Sequence, residues 1–221
     1  MLLNHDNGSY TSTVYDMIID DILNGVLKEG DKLNEKALIS KFGFSRTPIR
    51  EAMIMLERDG FIKTIGREGT YVRRLTHEDV REIYIAREAL ECMAAKIGVR
   101  TISDESLSVL ENIVNKMDSI LEQRDYDNFV RWDLIFHKAI VDSCHIKLLS
   151  KLCYNLGLLG ASIRLRGEKY QERIDAYQRE HREIYEAFVN RDEILAEQLI
   201  RNHVTHGKMD VLLGNEDFLN T

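Results

Sequence analysis

The sequence is poor in residues that mark several classes of protein. Its 221 residues include one proline and three cysteines, Cys92, Cys144 and Cys153. These cysteines form neither a CxxC pair nor an even set, which argues against a disulfide framework and for a reducing compartment. No apolar run approaches the length of a membrane span, and the first ten residues lack the pattern of a signal peptide. We therefore expect a globular, cytoplasmic protein without a membrane partner.

Motifs of common enzyme classes are also absent from the sequence. It contains no glycine-rich phosphate loop, no GxSxG and no HExxH. The one Gly-x-x-Gly pair, Gly157 and Gly160, lies in an apolar run and indicates close helix packing. No repeat of the solenoid type is present. None of these features predicts catalysis.

Charge is distributed unevenly along the chain. The formal net charge is -7, but residues 1–75 hold equal numbers of basic and acidic residues, so the acidity belongs to residues 76–221. Between Arg46 and Arg74, seven basic residues outnumber four acidic ones. Such a local positive surface is compatible with a polyanionic partner, although many solvated faces have a similar composition.

The first 75 residues have the pattern of three helices followed by a hairpin. Apolar residues recur at helical spacing in a first helix, Asn34 can cap a second helix, and a third helix begins near Pro48. Two β-prone runs, 61–65 and 70–73, flank the loop GREG. Three helices and a hairpin in this order predict a winged helix-turn-helix.

The single proline stands between two arginines at the start of the third helix. Pro48 occupies the first turn, where its missing N–H costs little. Ser45 or Thr47 can cap this helix, and Thr47 is favoured because proline biases the preceding residue away from the helical region. Arg46 and Arg50 lie opposite the apolar stripe, where a guanidinium can bond guanine or phosphate. A solvated basic face on a small helical core explains the spacing equally well.

From residue 76 onward almost the whole chain is predicted to be helical. Thr76 is a suitable cap, and a break near Gly167 leaves room for an additional short segment. The predicted helices span residues 77–99, 104–123, 127–143, 147–166, 172–190 and 193–213. Helices of this number and length form an all-α bundle. The predicted fold is therefore mainly α, with a winged helix-turn-helix at 1–75 and a helical domain at 76–221.

Four residues of the helical part are of types that bind metals. Asp133 and His137 are four residues apart and project from one helix face, while His181 and His203 lie on later helices and can face inward. One carboxylate and three imidazoles suit zinc, nickel or another first-row divalent ion and leave coordination positions open. The spacing is common, however, and a helical histidine is more often a surface or hydrogen-bonded core residue, so spacing alone favours a structural role.

The stretch from the first helix to the wing resembles the DNA-binding domain of the GntR family over about 60 residues. It carries G-x-L-x-x-G-x-x-L-N-E, then F-S-R-T-P-I-R-E-A, L-E-R-D-G and a glycine-flanked wing. The resemblance implies that Arg46 and Arg50 read or clamp the operator and that the wing approaches the minor groove. Lys36 replaces an arginine that some relatives carry. The DNA-contacting residues that it implies are Lys36, Ser45, Arg46, Thr47, Arg50, Gly66, Arg67 and Gly69.

Residues 80–205 are similar to the FCD effector-binding domain of the FadR branch. The motifs are R-x-x-L-E at 87–91, D-x-x-F-H from Asp133 and E-H-x-x-I at 180–184. This likeness implies a divalent transition metal, zinc in the first place, whose coordination sphere is completed by a small carboxylate metabolite. It implies that Arg87 pairs with that carboxylate, whereas an ion pair with Glu91 is the alternative. The implied metal ligands are Asp133, His137, His181 and His203, which leaves His145 and His206 at the surface.

The sequence as a whole predicts a ligand-responsive transcription regulator and not an enzyme. We expect a homodimer that binds a palindromic operator, because two winged helices match two half-sites. One alternative is a metal-dependent hydrolase with an appended helical domain, in which the histidines activate water. A second alternative is an adaptor that uses the winged helix as a protein-binding surface. Neither alternative explains the arginine-flanked proline as well.

Overall fold

The protein, here a computed structural model, is described for residues 9–165 and 172–214, and its chain divides into the units Met1–Leu75 and Thr76–Thr221. The segment near Gly167 that was left open by the sequence lies outside the described residues. Within the described ranges, every helix is too short or too polar to cross a lipid bilayer.

The first unit contains three helices and a three-stranded sheet. Its elements are α1 (Tyr10–Leu23), β1 (Lys32–Leu33), α2 (Glu35–Phe42), α3 (Arg46–Arg58), β2 (Ile62–Ile65) and β3 (Gly69–Val72). The central strand β3 pairs antiparallel with both neighbours, with Lys32 opposite Tyr71 and Ile62 opposite Val72. The predicted winged helix-turn-helix is confirmed, and β1 is an additional strand. Two residues are too few to show the alternation that predicts a strand.

The turn between α2 and α3 depends on the backbone of two residues. Gly43 ends α2 in the left-handed region, at φ 75°, which a residue without Cβ adopts at little cost. Ser45 is the N-cap of α3 in extended conformation, without a side-chain cap bond. Thr47 is already helical, so the preference for Thr47 as the cap is wrong. The helix that starts at Arg46 overrides the local bias that Pro48 imposes on its neighbour.

Burial of one side of α3 fixes which side faces solvent. Ile49, Ala52 and Leu56 are completely buried, and α3 packs on α1. The opposite side of the helix carries Arg46 and Arg50, both exposed. The hydrophobic core therefore presents the two arginines outward.

The second unit is built from six described helices. They are α4 (His77–Thr101), α5 (Asp104–Glu122), α6 (Tyr126–Asp142), α7 (Lys147–Arg164), α8 (Ile174–Val189) and α9 (Glu193–Gly214). Each bound lies within two residues of its predicted position. Thr76 caps α4 through a reciprocal pair of bonds with Asp79, as a capping box requires. The long helix α4 packs on α6, α7 and α9.

Two glycines let the helices of this unit approach closely. A Cβ at Gly157 of α7 would lie 2.8 Å from Leu134 Cδ1 of α6. A Cβ at Gly98 of α4 would lie 2.0 Å from Ser143 Oγ, next to the end of α6. Because glycine has no side chain, α7 can pack closely on α6 at Gly157, and α4 can pack closely on the end of α6 at Gly98. Polar side chains of these helices consequently meet in the interior.

Candidate functional site

Side chains of metal-binding type meet at one buried point inside the helical unit. Asp133 and His137 project from α6 one turn apart, while α8 supplies His181 and α9 supplies His203. One ligand atom from each residue lies within 4.8 Å of the others, and all four residues are buried. We call this group the Asp–His cluster. The structure thus brings the four sequence-predicted ligands together.

Each imidazole of the cluster is oriented by an oxygen behind it. The Nδ1 atoms contact these oxygens in three pairs, which are His137 with Glu91 at 2.7 Å, His203 with Glu180 at 2.7 Å, and His181 with Gln178 at 3.4 Å. For His203 and His181, an Nδ1–H that donates to its oxygen leaves Nε2 as a lone-pair acceptor, while His137 Nδ1 lies against Glu91 as a charge contact. All three Nε2 atoms therefore face the cluster as potential metal ligands.

Distances between the inward atoms fit a bound cation. His137 Nε2 and His203 Nε2 are 3.1 Å apart. Asp133 Oδ1 lies 3.3 Å from His181 Nε2 and 3.7 Å from His137 Nε2. Either a proton on one of the two rings or a cation between them holds the nitrogens at this distance. A divalent ion with bonds of about 2.0–2.2 Å places its ligand atoms about 3–3.5 Å apart. The donor set and its spacing suit zinc or nickel.

Most of the cluster is held in the protonation state that binds metal. Burial opposes ionisation of Asp133, but Arg164 and His137 keep the pKa of its carboxyl well below the ordinary value. Burial lowers the pKa of His181 and lowers that of His203 to about 3. Burial also acts to lower the pKa of His137, but the adjacent carboxylates raise it. An ionised carboxylate and neutral imidazoles are metal-binding forms, and an ion at the cluster would displace any proton on His137.

Glu180 connects the cluster to the protein surface. Its Oε2 accepts from His203 Nδ1 at 2.7 Å, and its Oε1 lies 2.8 Å from His206 Nδ1. Although burial acts to raise the pKa of Glu180, its bonds with the two histidines lower it to about 2. The His206 side chain is 42% exposed, so it is only in part the surface residue that was expected. His145 is exposed.

A small cavity lies beside the cluster. Its volume is about 190 Å³ including its opening to solvent. Lining residues include Tyr84, Arg87, Asp133, Arg164, Tyr177 and His203. Arg87 Nε donates to Glu91 at 2.7 Å, so the ion pair considered from the sequence is present. Arg87 therefore both pairs with Glu91 and lines the cavity.

Sequence reasoning missed two residues of this site, Arg164 and Glu180. Arg164 Nη2 donates to Asp133 Oδ2 at 2.5 Å, and the Arg164 side chain is 4% exposed. Arginine and glutamate on helices are normally solvated, so neither attracts attention in a sequence. The apolar surroundings of Arg164 in GLLGASIRL are the one local signal of its burial.

Residues predicted to contact DNA lie on the surface of the first unit. All are exposed except Gly69, which is half-buried, and the set comprises Lys36, Ser45, Arg46, Thr47, Arg50, Gly66, Arg67 and Gly69. Lys32 covers Gly69, where a Cβ would lie 2.6 Å from Lys32 Cε. The backbone of Gly69, at φ 129°, also favours glycine.

Glu35 joins the second helix to both arginines of the third. Its Oε2 accepts from Arg46 Nε at 3.0 Å, and its Oε1 lies 3.4 Å from Arg50 Nε. The Arg46 and Arg50 side chains remain 71% and 60% exposed. One carboxylate therefore holds two guanidinium groups side by side without covering them. Sequence reasoning did not assign this role to Glu35.

Comparison with known proteins finds two matching domain families. Residues 82–206 match the FCD domain, and residues 10–72 match the family described as bacterial regulatory proteins, gntR family. The uncharacterized HTH-type transcriptional regulator YdhC of Bacillus subtilis is 32% identical over 198 residues, 89% of this chain and 88% of that protein. The gluconate operon transcriptional repressor of Bacillus licheniformis is 32% identical over 158 residues, 68% of this chain and 64% of that protein.

A solved structure has the same fold as this chain. McbR/YncC of Escherichia coli superposes with a TM-score of 0.83 over 94% of this chain and 99% of that chain, at 20% sequence identity. At this level of sequence identity, the comparison shows only that the two chains share a fold.

Metal loading should stabilise the protein through the Asp–His cluster. A ligand that binds only the folded state stabilises it by about 2.7 kcal/mol at a hundredfold excess over Kd, so zinc should raise the unfolding temperature and a chelator should reverse the change. His181→Ala removes one imidazole and should abolish the zinc-dependent shift. Thermal unfolding with elemental analysis measures both effects. The control is His145→Asn, because His145 is exposed and lies outside the Asp–His cluster. Asparagine also tolerates the left-handed backbone of this position, at φ 56°. Equal zinc content in His181→Ala and wild type would exclude the cluster as the metal site.

Proposed function

The chain belongs to the GntR family of bacterial transcriptional regulators and carries an FCD domain, and from this premise we propose that a small carboxylate metabolite, bound at a metal, controls its affinity for operator DNA. The family and the relatives indicate a transcription regulator rather than an enzyme. The DNA-binding part of this proposal rests on the exposed arginine pair at the N-terminal end of α3.

In this proposal the N-terminal end of α3 enters the major groove. The α3 helix is the second helix of the helix-turn-helix, the position that reads base edges in such motifs. Arg46 and Arg50 present guanidinium forks that match guanine or phosphate oxygens. Ser45 and Thr47 lie where the free backbone N–H groups of the helix start also attract phosphate. Lys36 adds a positive charge at the start of α2.

We propose that two copies of the chain bind one operator. A twofold-symmetric pair of winged helices matches the two half-sites of a palindromic sequence. The wing, through Gly66, Arg67 and Gly69, then approaches the minor groove beside each half-site. Because it would bind chromosomal DNA, the protein is proposed to be cytoplasmic.

The sensing half of the proposal uses the Asp–His cluster and the cavity beside it. Asp133, His137, His181 and His203 would hold the ion, zinc in the first place, with nickel or another first-row ion as alternatives. Such an ion attracts a carboxylate oxygen into an open coordination position. Arg87, in the cavity wall, supplies N–H donors to the same ligand. The relative from Bacillus licheniformis is named for the gluconate operon, and gluconate is a carboxylate, which is compatible with this proposal.

Control follows if the metabolite binds the DNA-bound and the free protein with different affinity. The ratio of those affinities then equals the factor by which the ligand changes operator binding. A ligand that binds both states equally changes nothing. The direction of the effect, repression or activation, depends on which state the metabolite favours.

Arg50→Ala should weaken operator binding by about 10- to 100-fold, because a bidentate contact to a base contributes about 1–3 kcal/mol. Fluorescence anisotropy on an operator selected from random DNA by the protein measures the loss, repeated over a salt series. Arg81→Ala is the matched control. Arg81 is an exposed arginine of α4 paired with Glu78, and its substitution changes the net charge by the same amount as Arg50→Ala. Equal effects of the two substitutions would contradict a specific role for Arg50.

Glu35→Gln should lower sequence discrimination while raising affinity for random DNA. It removes a negative charge near the phosphates, which favours all DNA, and it removes the group that holds Arg46 and Arg50 in place. The control is Glu51→Gln, because Glu51 accepts a hydrogen bond from Thr11 and does not contact the arginine pair. Its substitution changes the net charge by the same amount as Glu35→Gln. The ratio of operator to random-DNA affinity should fall for Glu35→Gln only. An unchanged ratio in both variants would show that Glu35 acts through its charge alone.

Small carboxylates should change the operator affinity of the zinc-loaded protein. Coupling energies of about 1–3 kcal/mol correspond to about 5- to 150-fold changes. Gel-shift titrations measure the effect, and calorimetry identifies which acids bind. His181→Ala should still bind operator but should no longer respond to the acid. If an acid binds the wild type and leaves operator affinity unchanged, the proposed coupling is wrong.

A further inference from the structure

We propose that Lys32 of β1 is a positioning residue for DNA recognition, because its side chain holds the tip of the wing, residues 66–69, in the conformation that meets DNA. This inference rests on the proposed function, since it takes the approach of the wing to the minor groove as its starting point. It also gives β1, a strand of two residues, a role at the protein–DNA interface.

The base of the Lys32 side chain is fixed to the wing sheet. Lys32 lies opposite Tyr71 of β3, the central strand. The loop before it is bound to the same strand, because Gly30 N–H donates to Val72 O at 2.9 Å and Val72 N–H donates to Asp31 O at 2.9 Å. β1 and the wing are therefore one backbone unit, and the lysine starts from a fixed position beside the wing.

The Lys32 ammonium bonds the backbone at the tip. Its Nζ donates to Glu68 O at 2.6 Å. Tyr71 Oη donates to the same carbonyl at 3.1 Å, and Lys32 Nζ lies 5.6 Å from the centroid of the Tyr71 ring. A carbonyl oxygen has two lone pairs, so both acceptor positions of Glu68 O are used. Two side chains thus fix the orientation of one peptide group at the tip.

The tip needs this support because glycines stand at both of its ends. Gly66 has φ 42° and Gly69 has φ 129°. The turn is closed by Glu68 N–H, which donates to Ile65 O at 2.8 Å. A glycine backbone has several conformations of similar energy, so such a tip is variable unless other groups fix it. The missing side chain of Gly69 gives the lysine its place, since a Cβ there would lie 2.6 Å from Lys32 Cε.

The charge of Lys32 remains available to DNA. Among the described residues, its ammonium bonds a neutral carbonyl and pairs with no carboxylate. Arg46 and Arg50, by contrast, share the carboxylate of Glu35. Arg67, at the tip, is exposed. Lys32 therefore fixes the backbone that carries Arg67 and adds a positive charge beside it. A cationic tip that is already ordered binds a phosphate-lined groove with a smaller loss of conformational entropy.

Lys32→Met tests the proposal on the full-length protein bound to its selected operator. Methionine keeps most of the side-chain stem and removes the ammonium. Operator affinity should fall about 2- to 10-fold, the cost of ordering about one additional side chain on binding. Hydroxyl-radical footprinting should lose the minor-groove protection beside each half-site, whereas dimethyl sulfate protection of guanine N7 in the major groove should remain. A loss confined to the wing is not the result of a general loss of folding.

Lys63→Met is the matched control. Lys63 is exposed on β2 and also lies opposite Tyr71, across β3 from Lys32, so its substitution changes the charge of the same sheet face by the same amount. In the part of the chain that the structure describes, no hydrogen bond of its side chain reaches the tip. It should keep the wing footprint. Retention of that footprint in Lys32→Met would overturn the positioning role, as would an equal loss in both variants, which would reduce Lys32 to a charge.

The wild-type footprint separates this inference from the proposed function. If the wild type binds its operator without protecting the adjacent minor groove, the placement of the wing is wrong and the role of Lys32 with it, while DNA binding by α3 stands. If the protein selects no operator from random DNA, the proposed function itself fails.

Discussion

The helical unit depends on one buried carboxylate, that of Asp133. Its two oxygens face different groups, since Oδ1 lies among three imidazoles and Oδ2 accepts from Arg164. A buried carboxylate is stable only when opposite charges and donors surround it, so the helices that supply these groups must pack around it. α6, α7, α8 and α9 all contribute. The same residue therefore connects the packing of the bundle with the chemistry of its centre.

The periodicity of apolar residues predicted most of the fold, because each long helix buries one stripe of side chains. The bounds of α4 to α9 were predictable to within two residues on this basis. β1 was not, since Lys32 and Leu33 pair with β3 only through contacts distant in sequence. The start of α3 was also misassigned, because a local bias before Pro48 is weaker than a helix that begins at Arg46.

The candidate site was predictable where residue type and spacing carry the information. Asp133 and His137 share a helix face, and His181 and His203 lie on later helices at positions that can face inward. The family resemblance then favoured all four as metal ligands. Arg164 and Glu180 were not predictable, because burial of a charged side chain depends on which helices meet around it. Glu35 was missed for a related reason: its bonds to two arginines cross from α2 to α3, and no spacing rule within one helix describes them.

The near-complete enclosure of Arg87 bears on how fast such a sensor can respond. A group that is 2% exposed is reached from solvent only through the cavity that it lines. Under the proposed function, a ligand would enter and leave through the opening of this cavity, and local motion of the surrounding helices would limit both rates. When exchange is slow, occupancy of the proposed ligand site follows the metabolite concentration averaged over the time between entry events. If the proposed function holds, a regulator built this way would respond to sustained changes in metabolite concentration more than to brief ones.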